Sequence, residues 1–410
     1  MTITYLKKIN IAHLISAFFL LLKGAGGFLF SWFLIHFTGG SEHVNVLKDL
    51  SIIMGLSVLL RFGADTAILK LVTNLYDSKR KSEIISLLLS ASLLCSFNSI
   101  VLFFLVDNFY KFETVSVLQA IFISFLISQN FCLASFLKSF GRINLSFLCD
   151  AGMVMIFSLP FIFLLNISPV ISLGIIWGII SVIYLAIVIR ETFNFVGKSS
   201  PETNIEEFSL KKFFYPLPNL FINSIMNYIQ QWGIIYFTSL SMTTEYASSF
   251  ILIIRSSYIF NAVLSPLSSY TVPEVIRIFK YRDHVPVNSY IRKIKPLYRI
   301  SSVICFLIVA VFSIWSIYPS LIDFPYIASF LFFLFCCSFN LASGPVNIYM
   351  AVLGYDSLLV KLRLVTIIPF LISLCFLEGN LFIIACSIYI LLQRSCLVYF
   401  LKKKSGIILI

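Results

Sequence analysis

Residues 84–106 read IISLLLSASLLCSFNSIVLFFLV, an apolar run without a charge, preceded by Lys79, Arg80 and Lys81 and followed by Asp107. A helix needs about 20 apolar residues to cross the hydrocarbon core of a bilayer, and this run has that length with sharp polar edges. Working outward, the same pattern recurs at 9–37, 48–73, 114–137, 145–165, 169–189, 213–240, 247–273, 297–318, 325–352, 361–377 and 381–401. Twelve spans are therefore expected, the first beginning in a stretch with the basic flank of a signal peptide but no clean cleavage site. Composition agrees. The 410-residue chain is 59% hydrophobic and 12% charged, against about 25% charged in a soluble domain. A soluble fold could not cover its surface with so few polar groups, and a disordered chain needs the opposite balance.

The connectors alternate in charge. Of the 30 Lys and Arg, 24 fall at the two ends of the chain and on every second connector, two (Lys48 and Lys111) fall on the opposite connectors, and four lie inside spans. The positive-inside rule then puts both termini in the cytoplasm. The net charge of +12 is thus an orientation signal, and the basic residues are too scattered to form a nucleic-acid surface. The longest polar stretches, about 190–212 and 274–296, are expected as cytoplasmic loops. The opposite loops are too short for a catalytic domain. The nine Cys and four His show no metal-ligand spacing, so buried, inert thiols are expected and no metal or cofactor.

Six spans on either side of the first long loop suggest two parallel-related six-helix bundles: residues 1–195, a linker at 196–212, and residues 213–410. Local matches support duplication. Ser139-Phe-Gly-Arg-Ile-Asn-Leu-Ser-Phe follows span four and Val352-Leu-Gly-Tyr-Asp-Ser-Leu-Leu-Val follows span ten, while Leu159-Pro-Phe and Ile368-Pro-Phe lie in spans five and eleven. The fold class is an all-α polytopic membrane protein.

Charges deep in a span cost roughly 2.5–3.5 kcal/mol each on insertion scales, so each needs a reason. Lys23, Arg61 and Arg255 are such charges; Arg394 lies near a span end, where its side chain could snorkel. Asp65 stands one turn after Arg61 and can neutralise it, whereas Lys23 and Arg255 have no acid nearby in their own spans. The interior is net basic, which suits either an anionic ligand such as a phosphate or pairing with another helix. Span seven carries Asn219, Asn223, Asn227 and Gln231 at four-residue steps, with Gln230 beside the last. Such steps drift by about 40° on a helix of 3.6 residues per turn, so these amides share one broad face, fit to bond sugar hydroxyls or other helices. Asn261 in span eight, and Asn340 and Asn347 in span ten, extend the polar set. Gly24, Gly26 and Gly27 weaken span one beside Lys23. Pro160, Pro266, Pro345 and Pro369 interrupt other spans, as in the broken helices of transporters. Gly174 and Gly178 read as a helix contact.

Twelve spans in two six-span halves resemble the multidrug/oligosaccharidyl-lipid/polysaccharide exporter superfamily, and within it the Wzx-type O-antigen flippases. The local carriers are Leu60-Arg-Phe-Gly-Ala-Asp-Thr-Ala-Ile-Leu-Lys-Leu-Val in span two and Leu133-Ala-Ser-Phe-Leu-Lys-Ser-Phe-Gly-Arg after span four. The resemblance implies a MATE-like, V-shaped protein of the bacterial inner membrane that is not an enzyme. It would move undecaprenyl-diphosphate-linked oligosaccharides to the periplasmic leaflet by alternating access, driven by H⁺ or Na⁺. Asp65 is the candidate coupling acid, and Lys23, Arg61 and Arg255 are the candidate substrate cations. Membrane lipids, an O-antigen polymerase and a chain-length regulator are the implied partners. Two rivals are weighed against it. A drug/cation antiporter would call for intramembrane acids, and a glycan polymerase for a long outer loop; the sequence is poor in both.

Overall fold

The apolar stretches become helices because a chain in hydrocarbon has to satisfy its backbone N–H and C=O groups internally. The computed structural model describes residues 11–77, 81–193, 210–280, 284–317, 323–352, 355–374 and 376–405, and among these there is no strand. In chain order come α1 (Ile11–Phe37), α2 (Gly40–Arg61), α3 (Ala64–Asp77), α4 (Lys81–Phe109), α5 (Val117–Ser139), α6 (Ile143–Ser146), α7 (Ala151–Leu165) and α8 (Pro169–Phe193). They are followed by α9 (Leu210–Phe214), α10 (Leu217–Tyr228), a π-helical turn (Ile229–Gly233) and α11 (Ile234–Ser241). Then come α12 (Thr244–Lys280), α13 (His284–Ile317), α14 (Phe324–Ala342), α15 (Val346–Val352), α16 (Asp356–Leu374) and α17 (Gly379–Ser405).

Ten of these helices are long and apolar enough to cross a membrane, which makes the chain a multi-pass membrane protein. The stretch expected at 145–165 contains the 15-residue α7, and the one at 213–240 is split among α10, the π-helical turn and α11. Two other expected spans are broken as well. Span two starts at Gly40, ahead of the expected 48, so Lys48 and Asp49 lie inside α2 rather than at a loop edge; it then breaks at Phe62 and Gly63. Span ten breaks between α14 and α15 at Ser343–Pro345. The loop expected at 274–296 is mostly helix: α12 runs to Lys280 and α13 starts at His284, with Pro296 inside it. Of the expected linker, residues 196–209 lie outside the described residues.

The chain divides into two compact units, one of Met1–Val44 with Phe237–Ile410 and one of Asn45–Tyr236. These differ from the two sequential halves expected above, because the first span of each half packs within the unit that holds the rest of the other. In the first unit α1 lies on α12, so close that a Cβ on Gly24 would come within 2.4 Å of the Ala262 Cβ. In the second, α10 lies against the break in span two, where a Cβ on Gly63 would meet the Phe221 nitrogen at 2.8 Å and the Leu220 Cβ at 2.9 Å. Gly63 has φ +82°; a side chain there would suffer both the left-handed backbone and the clash.

A common order of elements runs through both halves. Helix α5, a left-handed Gly141, α6, the proline-bearing α7 and α8 are matched by α14, a left-handed Gly344, α15, the proline-bearing α16 and α17. In this order Gly141 corresponds to Gly344. The sequence match had paired it with Gly354, which lies outside the described residues. A Cβ on Gly174 of α8 would come within 2.8 Å of Ile123 Cγ1 on α5, a helix contact as its spacing suggested.

Candidate functional site

In the Asn45–Tyr236 unit the polar centre is the break in span two. Arg61 ends α2 and Asp65 lies in the first turn of α3, so each charge faces the helix end whose dipole it complements. Arg61 Nε approaches Asp65 Oδ2 at 3.2 Å, Nη1 donates to Ser57 Oγ at 3.4 Å, and the guanidinium lies 4.4 Å from the centre of the Phe131 ring. The pair is enclosed but not sealed, the side chains being 10% and 17% exposed. Opening the helix frees carbonyls, and Asn98 Nδ2 of α4 donates to Leu60 O at 2.9 Å. Phe62, itself left-handed at φ 46°, stacks on Phe221 with centroids 4.2 Å apart. Sequence reading drew no attention to Asn98; an amide in the middle of an apolar span was its only signal.

Along α10, Asn219 and Asn227 are exposed and Asn223 is half-buried; in the π-helical turn Gln231 is exposed and Gln230 half-buried. Four-residue steps advance the stripe around an α-helix. The π turn holds one more residue and rotates less per residue, so it offsets that drift and keeps Gln231 in line with the asparagines.

In the other unit, the i, i+7 row of Ser248, Arg255 and Ala262 on α12 faces the chain from α1 to the start of α2. A Cβ on Gly40 would lie 3.5 Å from Ser248 Oγ, and one on Gly24 would clash with Ala262. Arg255 stands between these two contacts, 1% exposed, with its guanidinium 5.5 Å from the centre of the Tyr258 ring. Lys23 is half-buried beside Gly24. Lys23 and Arg255 thus sit on packed helices about two turns, or roughly 10 Å, apart along the axis, whereas Arg61 belongs to the other unit. Asn261 is exposed, and its carbonyl accepts from Ser265 Oγ at 3.0 Å. Asn340 and Asn347 are half-buried, with Asn347 Oδ1 enclosed and making no hydrogen bond.

Arg394 departs from expectation. Rather than snorkelling to a span end it is 5% exposed. Its Nε donates to Ser343 Oγ at 2.6 Å and its Nη2 to Asn340 O at 3.0 Å and to Gly344 O, serving the oxygens that the break in span ten leaves over. Arg363, expected on a loop, is buried in α16. Sequence reading also passed over Asp49, buried in α2, whose Oδ2 accepts from the Thr114 N–H and Oγ1, both at 2.7 Å. Beyond the end of α4, burial pushes the Tyr110 phenol above its ordinary range, and the nearby Asp49 carboxylate adds to the effect. Among the described residues no His, Cys, Asp and Glu gather into a metal-binding group.

Among the described residues the structure is helical and without strands, with spans broken next to buried charges. Its fold is similar to that of MATE family transporters of the MOP superfamily. An inward-facing multidrug resistance transporter of that family superposes with a TM-score of 0.64 at 14% identity, over 94% of this chain and 96% of that one. An outward-facing conformation gives 0.64 at 11% identity, over 96% and 95%. A Vibrio cholerae MATE transporter, studied as a mutant, gives 0.57 at 9% identity, over 95% of each chain. No protein-family model matches the sequence, and no curated protein matches it.

Proposed function

We propose that this chain is a flippase of the bacterial inner membrane, moving undecaprenyl-diphosphate-linked O-antigen or polysaccharide repeat units from the cytoplasmic to the periplasmic leaflet by alternating access. The observation that carries the reading is the sign of the polar groups within the spans. Lys23, half-buried at the glycine-weakened part of α1, and Arg61, at an opened helix end, are cations suited to a diphosphate. The row of Asn219, Asn223, Asn227 and Gln231 supplies donors and acceptors for sugar hydroxyls. Arg255 is enclosed between helices and acts on the cargo through its field rather than by contact. Asp65 would be freed whenever substrate phosphate takes over Arg61.

A drug/cation antiporter fits the fold equally well, and the multidrug resistance transporters named above favour it. Asp65 would then be the group that binds the cation. Purified protein in liposomes separates the two readings. We expect it to equilibrate a fluorescent polyprenyl-diphosphate oligosaccharide between leaflets, with Lys23→Ala and Arg61→Ala each slowing this by about tenfold, the worth of one charge-assisted contact. Transport of ethidium that is abolished by Asp65→Asn, with no movement of the diphosphate lipid, would assign the antiporter.

A further inference from the structure

The chain passes from the first unit to the second inside α2, between Val44 and Asn45, and the residue preceding Val44 is a buried histidine. His43 is 0% exposed. Its Nδ1 lies 3.0 Å from Ser248 Oγ of α12, and its Nε2 is enclosed with no hydrogen bond. Ser248 shares its helix face with Arg255, two turns on, and the Arg255 guanidinium acts electrostatically on the His43 ring. The charged and titratable groups on the surrounding elements are few. Glu42, Glu245 and His36 are exposed; Lys48 pairs with Glu113 at 3.3 Å, and Asp49 is held by Thr114. Arg255 is the charge buried with the ring.

We propose that His43 is the proton-binding site through which a proton gradient drives this transporter. Nδ1–H donates to Ser248 Oγ, leaving the Nε2 lone pair as the place where a proton adds. Once it has, two positive charges share a water-free setting, where their repulsion is far larger than in water. The protonated ring therefore leaves Ser248, and the first turn of α2 comes away from α12 at the point where the chain changes unit. When the proton is lost to the other side, the joint re-forms. A proton that binds one conformation better than the other shifts their balance by that difference in affinity. Arginine keeps its proton, so of His43 and Arg255 it is the histidine that binds and releases one.

The inference rests on the transport reading but not on the identity of the cargo, and its test keeps the two apart. Reconstituted protein is given the diphosphate lipid and, separately, ethidium, with and without a pH step across the liposome membrane. For whichever cargo moves, the pH step should accelerate the wild type, whereas His43→Asn, which keeps a polar group in reach of Ser248, should equilibrate cargo without a gradient and ignore the step. Arg255→Gln should move the pH midpoint of transport upward by about one unit, the usual reach of a like charge, and should cause no such shift in a His43→Asn background. A His43→Asn protein that still responds to the gradient, or a response lost with Asp49→Asn instead, would overturn the proposal. Movement of neither cargo in any condition would sink the transport reading itself.

Discussion

The turns that follow α5 and α14 solve one problem with different chemistry. Each half of the chain ends a long helix at a left-handed glycine, Gly141 or Gly344, and each leaves polar backbone atoms beside a bilayer that offers no water to satisfy them. In the first half Tyr184 of α8 fills the gap: its hydroxyl donates to Leu145 O at 2.5 Å and accepts from the Cys149 N–H at 3.1 Å. In the second half Arg394, the same distance into α17, reaches Asn340, Ser343 and Gly344. The neutral hydroxyl balances one acceptor and one donor, whereas the guanidinium meets oxygens alone. The difference teaches that a buried cation can be a structural plug, and it sets Arg394 apart from Arg61, whose partner is the acidic side chain of Asp65.

The comparison can be broken by substitution. Arg394→Ala should have the largest effect: Ser343 Oγ, Asn340 O and Gly344 O each lose a bond to a charged donor, worth about 1.5–3 kcal/mol apiece. Although Gly344 O keeps the Val346 N–H and Asn340 O the Ser343 hydroxyl, protein abundance in the membrane and thermal unfolding in detergent should both fall clearly. Normal abundance would place Arg394 among the functional cations. Tyr184→Phe should cost less, about 1–2 kcal/mol, read as a modest drop in the same melting curve with transport preserved. Arg61→Ala should change abundance least, because Asp65 is 17% exposed at a helix N-terminus and keeps favourable surroundings; its effect belongs in the transport assay. The amide row sharpens the contrast from the other side. Cysteines placed at Asn223 and Asn227 in a Cys-less background should react with a water-soluble maleimide, Asn227→Cys the faster since that position is the more exposed; an inert Asn227→Cys would make the row a dry helix contact.

Much of this was legible from the chain. Hydropathy located the spans because a bilayer imposes length and polarity on whatever crosses it. The four-residue spacing of Arg61 and Asp65 pointed to their ion pair, which forms across a break in the helix rather than along it. The breaks were harder. Phe62-Gly63 lies in an apolar stretch that reads as continuous helix, and only the approach of α10 makes the left-handed pair worthwhile. Arg394 looked peripheral by its distance from the chain end, since sequence position does not reveal that a broken helix lies beside it. His43 and Asp49 were missed for a related reason: span two was begun at its first long apolar run, and the earlier turns are buried by Ser248 and Thr114, partners about 205 and 65 residues away. Unit membership was not legible either, because hydropathy counts spans without saying which of them pack together.

The π-helical turn at Ile229–Gly233 stands a few residues before the chain's return crossing at Tyr236 and Phe237. A surplus residue held in one turn can migrate, like a wrinkle under a carpet, without any hydrogen-bonded rung being lost for long. Each residue it passes swings by about 100°, so Gln230 could replace Gln231 on the polar face while the rod on either side stays intact. Deleting one residue from 229–233 would iron the wrinkle out and leave that rod locked at a single azimuth.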